Sequence, residues 1–160
     1  STPSLSEVRK TVIALRRGKS MVIDPSDENR RSAGSFFTNP IVTRERADEV
    51  VSRAKALGVV QSDDEVPRYP LEDGRLKLAA GFLIERAGVK KGFRMGQVGI
   101  SSRHALSLVH HGGGSARELI ALAEHVRACL HTAFGVTLEP EPVFLGFVSP
   151  PFPSGTSHGS

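Results

Sequence analysis

The chain has 160 residues, 39% apolar and 24% charged, a balance that supports one buried core and argues against a disordered chain. No apolar run approaches the ~20 residues of a membrane span, and the first residues lack the pattern of a secretory signal, so a cytoplasmic location without a membrane partner is expected. The formal net charge of +4 points toward an anionic partner without naming it.

Leu5, Val8, Val12 and Leu15 recur at helical spacing behind Ser4, which predicts an amphipathic helix over residues 5–17. It ends in Arg16-Arg17-Gly18-Lys19, basic residues where the helix dipole favours them. Residues 21–23 read as a short extended piece and 24–27 as a turn. Thr43 caps a second helix to about residue 57, with Ala47, Val50, Val51 and Ala54 inside and Gly58 as the stop. The polar stretch 61–76 reads as a loop. Residues 77–87 read as a third helix, in which Gly81 marks close approach of another backbone. Gly92, Gly96 and Gly99 stand too far apart for a phosphate loop, and residues 105–109 read as a strand. Ser115 and Glu118 form a capping box for the longest helix, 116–134, which Gly135 terminates. Residues 136–138 and 143–148 read as strands, and the Pro/Gly/Ser-rich residues 149–160 as a disordered tail. This order is no regular β-α-β alternation, so the predicted class is α+β, a small, mainly antiparallel sheet packed with helices.

Gly34-Ser35-Phe36-Phe37-Thr38-Asn39-Pro40 holds the clearest chemistry. Gly34 frees the backbone before Ser35, and Pro40 forces Asn39 out of the helical region. The two phenylalanines anchor a tight turn that presents a hydroxyl and a carboxamide. Other groups read more plainly. The single cysteine, Cys129, cannot form an internal disulfide and reads as a small buried hydrophobe. His110-His111 beside Gly112-Gly113-Gly114 reads as a polar turn, because adjacent strand histidines diverge and nothing is spaced to complete a metal site. With no Trp and only Tyr69 among tyrosines, a base-stacking platform is poorly supplied, so nucleic acid is not the expected partner. Taken alone, Glu141 between two prolines is a surface carboxylate.

Together, residues 34–40, Val66-Pro67-Arg68-Tyr69-Pro70, residues 77–84, Lys91-Gly92, His104-Ala105-Leu106 and Leu138-Glu139-Pro140-Glu141-Pro142-Val143 stand in the order seen in UDP-N-acetylenolpyruvoylglucosamine reductase. The chain resembles the C-terminal, substrate-binding portion of this flavoenzyme family, the MurB family. The resemblance covers nearly the whole chain up to Gly146, but only the C-terminal half of the family's length. It implies that residues 1–24 end the FAD-binding domain, 25–135 form the substrate-binding domain, 136–148 return a strand toward the flavin region, and 149–160 trail off.

The resemblance also implies a two-stage reduction in which NADPH reduces FAD and a hydride then reaches C3 of an enolpyruvyl ether, the substrate being UDP-N-acetylglucosamine enolpyruvate. Ser35 matches the family's donor of the proton to C2, and Glu141 its second catalytic group, a carboxyl close to the substrate carboxylate. Asn39, Tyr69, Lys91 and His104 match positions that meet the UDP part, Lys19 matches a lysine near the diphosphate, and Lys77 joins the substrate-binding set. Where the commonest family pattern has a basic residue after the two phenylalanines, this chain has Thr38. The segments that hold FAD, and an arginine that polarises the substrate carboxylate, have no match in these residues. The chain by itself is therefore expected to be inactive, and to self-associate through Val8, Val12 and Leu15. The alternative reading is a stand-alone UDP-sugar-binding module without redox activity. Presence of both Ser35 and Glu141 favours the enzyme, since a binder of UDP needs neither.

Overall fold

In a computed structural model that describes residues 2–152, helices α1 (Leu5–Gly18), α2 (Arg44–Ala56), α3 (Ala80–Arg86) and α4 (Ala116–Phe134) accompany two antiparallel sheets. The larger sheet has the order β1 (Ser32–Ser35), β7 (Ser107–His110), β6 (Val98–Ile100), β5 (Arg94–Met95). The smaller has the order β2 (Ile41–Val42), β4 (Leu76–Leu78), β3 (Arg68–Pro70). The fold is α+β, as the element order predicts.

Ala47, Val50, Val51 and Ala54 of α2 pack into one core with Leu122, Ala123, Val126, Leu130 and Phe134 of α4 and with Leu83 and Ile84 of α3. Burying a side chain of Val, Leu, Ile or Phe size stabilises by about 1.5–3 kcal/mol, so these stripes fix how the helices sit on the sheets. Both ends of α4 match the sequence. Ser115 and Glu118 close a reciprocal capping box, and Gly135 takes the left-handed conformation at φ 67°. Helix α1 is different: Ser4 and Glu7 cap it well, yet none of its residues is buried and Leu5 is 89% exposed.

The predicted third helix begins later than expected. Leu76, Lys77 and Leu78 alternate buried, half-buried, buried as strand β4, and Ala79 remains extended before α3 starts at Ala80. Leu, Lys and Ala are good helix formers, which hid a three-residue period-two pattern. The stretch 61–76 likewise holds a 3-10 turn at Asp63–Glu65 and strand β3 besides loop. Residues 21–23 form no strand.

Nor do residues 136–138 and 143–148. The chain there makes one antiparallel bridge, Pro140 to Phe37, flanked by Thr38 N–H donating to Glu139 O at 3.0 Å and Glu141 N–H donating to Phe36 O at 2.9 Å. Pro140 and Pro142 lack the N–H groups that a longer ladder needs. Of the predicted tail, residues 149–152 are described, and Phe152 is 7% exposed; residues 153–160 lie outside the described residues. Gly81 meets only the Leu106 and Ala105 side chains, at ordinary distances of 3.6 and 3.7 Å from a built Cβ. The close backbone approach is instead at Gly99, where a Cβ would stand 2.5 Å from Phe93 O.

Candidate functional site

Ser35 ends β1, just after a break in register. Ser32 pairs with Val109 and Ser35 with Ser107, so Ala33 and Gly34 together oppose Leu108 alone. Gly34, at φ 85°, supplies the conformation this bulge requires. A bulge bends the strand and re-aims the following side chain, a common device beside active sites. The sequence predicts a tight turn here; the structure provides a strand bulge with the same effect on Ser35. Phe36 and Phe37 are buried as expected, and Phe36 N–H donates to Leu106 O at 2.8 Å, tying Ser35 to β7 from its other side.

Ser35 and Glu141 line one open cleft of about 730 Å³. Glu141 arrives there because its backbone N–H is bound to Phe36 O, the carbonyl next in sequence to Ser35. Its side chain is exposed, and among the described residues no other carboxylate lines the cleft. Two arginines do, neither of them singled out by the sequence. Arg16 Nη2 donates to Met21 O and Arg30 Nη1 to Asp27 O, each at 3.1 Å, leaving further N–H groups on both guanidinium forks. Arg16 reads from sequence as a helix-dipole residue, and nothing about Arg30 marks it, because its role depends on the loop fold. Buried Ser20, at φ 55°, lines the same cleft.

Lys19, Lys91 and His104 form a second group. His104 is half-buried, and burial, together with the positive charges of Lys19 and Lys91, lowers its pKa below the ordinary histidine value. Its Nδ1 accepts the Leu106 N–H at 3.2 Å, so the proton of the neutral ring resides on Nε2 as a donor. Asn29, buried, ties the two loops that carry Lys19 and His104. Its Oδ1 accepts Ser102 N–H at 3.0 Å, and its Nδ2 donates to Ser102 Oγ at 3.0 Å and to Ser20 Oγ at 3.4 Å. Lys91 also lies 3.6 Å from Glu85, an exposed ion pair worth little.

Asn39, Tyr69 and Lys77 gather at the small sheet. Lys77 stands between Ile41 and Tyr69 in register, and Leu78 N–H donates to Pro40 O at 2.9 Å. Asn39 Oδ1 accepts the Ala80 N–H at 2.9 Å, which leaves its amide nitrogen for other partners. Tyr69 is exposed. The predicted residues thus fall into three groups, strung together by residues 35–39 and by β7. Among the rest, half-buried Cys129 has its Sγ 3.7 Å from His125 Nε2. His110 holds a polar turn through Gly112 N–H at 3.1 Å and Gly114 O at 2.8 Å.

The family model for the C-terminal domain of UDP-N-acetylenolpyruvoylglucosamine reductase matches residues 24–145. The chain belongs to this family. It is 48% identical over 143 residues to the UDP-N-acetylenolpyruvoylglucosamine reductase of Thermobifida fusca, covering 89% of this chain and 39% of that protein. The reductases of Saccharopolyspora erythraea and Mycobacterium tuberculosis are 47% and 46% identical, over 91% and 87% of this chain and 40% and 37% of their own lengths. The chain therefore spans about two fifths of these relatives. The matched residues include the bulge, the cleft residues Arg30, Ser35 and Glu141, and all of the small sheet; α1 lies before them. Among the described residues, no helix is long and apolar enough to cross a membrane.

Proposed function

We propose that this chain is the substrate-binding and proton-donating part of a cytoplasmic reductase that converts UDP-N-acetylglucosamine enolpyruvate to UDP-N-acetylmuramate for peptidoglycan synthesis. The observation that carries the reading is the meeting of Ser35 and Glu141 in one cleft beside two arginines. The chemistry that bound FAD would supply in the whole enzyme is the hydride for C3, with NADPH as its source. Ile23, 93% exposed at the cleft, and Pro142 offer an apolar rim compatible with a flat ring; no described residue is assigned to holding either cofactor.

The residues of this chain then act on the substrate. Arg16 and Arg30 offset the enolpyruvyl carboxylate and the charge that develops at C2, where donors already in place are worth most. Ser35 gives its proton to C2, completing the saturated ether, and its position rather than its acidity makes it effective. Glu141 lies beside the carboxylate end and shares in replacing that proton. Lys19, Lys91 and the Nε2–H of neutral His104 take the diphosphate, while Asn39, Tyr69 and Lys77 meet the rest of the UDP part.

The test is NADPH oxidation by the full-length protein. It should depend on the enolpyruvyl substrate; a full-length protein that binds UDP-sugars yet never oxidises NADPH would establish the binding module instead. That second reading draws on Lys19, Lys91 and His104 not being among the residues that line the Ser35 cleft.

A further inference from the structure

Glu141 is exposed, and among the described residues its side chain makes no ion pair, so something other than its own contacts must hold it beside Ser35. Backbone bonds from Thr38 and Glu141 begin that hold. Beyond Pro142, however, the chain runs outward: Val143 and Leu145 are each 83% exposed, and Val148 is fully so. The inward anchors on this arm are aromatic. Phe144, half-buried, lies 6.2 Å from the ring of Phe36, and buried Phe152 lies 6.5 Å from Phe36 and 5.5 Å from Phe144, ring centre to ring centre. Phe36 is the residue whose N-side neighbour is Ser35 and whose carbonyl binds Glu141.

Arg127 of α4 grips the same arm twice. Its Nε donates to Leu138 O at 2.8 Å, three residues before Glu141, and its guanidinium sits 4.9 Å above the Phe152 ring, eleven residues after it. A cation over an aromatic face contributes of order 0.5–2 kcal/mol, more when desolvated. Arg127 and Phe152 therefore bracket the arm that delivers Glu141.

We propose that Phe152, clamped by Arg127 against Phe36 and Phe144, is a positioning residue that fixes Glu141 opposite Ser35. The family match ends at residue 145, so Phe152 lies beyond the part that the family model describes, while Phe36, Arg127 and Phe144 lie within it. Its catalytic meaning rests on the roles proposed above for Ser35 and Glu141; its structural meaning does not.

Amide hydrogen exchange on this chain tests the clamp. Phe152→Ala should accelerate exchange of the Glu141 and Thr38 amides by about tenfold or more while amides of α4 and β7 keep their rates, the signature of a local opening. Unchanged rates at Glu141 and Thr38, or equal acceleration across α4 and β7, would overturn the proposal. Should Phe152→Ala fail to fold, Arg127→Met decides, since it keeps the ring and removes both grips; the same two amides must respond. In the full-length protein, Phe152→Ala should lower kcat with the enolpyruvyl substrate about tenfold at nearly constant KM. Flavin reduction by NADPH should be unaffected, and Phe152→Leu should restore part of the loss. Loss in KM alone would contradict positioning. A wild-type protein without turnover would refute the reductase reading, and the exchange result would still judge the clamp.

Discussion

The side-chain oxygen of Asn39 accepts the backbone N–H of Ala80 at 2.9 Å, so a residue matched to the UDP site also caps α3. Ala79 stands at the N-cap position of that helix and has no side chain able to do so.

The two roles separate by substitution. Asn39→Ala should cost about 1 kcal/mol of stability, the usual price of a lost N-cap, and should weaken UDP binding as well. Asn39→Asp keeps an acceptor at the helix start, where the dipole favours negative charge, but removes the amide donor. It should retain stability in urea denaturation and still bind UDP weakly by calorimetry. Equal destabilisation of both variants would remove the capping role.

His104 sets a pH dependence. Burial and the charges of Lys19 and Lys91 lower its pKa in the free chain, so it is neutral above the ordinary histidine range and remains so somewhat below it. A diphosphate beside it would favour the protonated ring and raise that pKa. The complex then binds more protons than the free chain, so affinity for a UDP-sugar should rise as pH falls through the window between the two values. UDP-N-acetylglucosamine suits the calorimetry, because its diphosphate stays fully ionised there. His104→Gln should flatten the profile, and Lys91→Ala should weaken binding by about 1.5–3 kcal/mol; a wild-type affinity independent of pH would take His104 out of the site.

The same lowered pKa bears on stability with the opposite sense. Because the folded chain holds its His104 proton less tightly than the unfolded one, this residue's contribution is complete above the unfolded value of about 6.5 and is lost as pH falls through the lowered folded value.

Helix α1 presents Leu5, Val8, Val12 and Leu15 without a covering element among the described residues. An apolar stripe of this kind drives association. Sedimentation velocity of this chain should show mass rising with concentration, and Val12→Glu with Leu15→Glu should return it to a monomer. A wild-type chain that stays monomeric at high concentration would contradict this role for the stripe.

How much of this was legible in the sequence depended on the length of the signal. Helices α1, α2 and α4 carry several turns of apolar period and side-chain caps at Ser4, Thr43 and Ser115, and they appear where the sequence predicts them. Strands of two or three residues, such as Ile41–Val42 and Leu76–Leu78, are too short for alternation to stand out, and tertiary pairing decides them. Ser35 is marked by the Gly34–Pro40 segment itself and Glu141 only through the family resemblance, and no local pattern announces that they share a cleft. Arg30, Arg127 and Phe152 were invisible because each acts on a segment distant in sequence or reached through a loop.

Ser35 carries the proton on which the proposed reduction depends. In the full-length protein, stopped-flow absorbance separates reduction of the flavin by NADPH from its reoxidation by the enolpyruvyl substrate. With Ser35→Ala, reduction should proceed at nearly the normal rate, while reoxidation should fall by at least the ~10²-fold expected when a positioned proton donor is lost. Ser35→Cys should recover part of it, because a thiol can still carry a proton to C2. A Ser35→Ala protein that reoxidises at the normal rate would show that another group protonates C2.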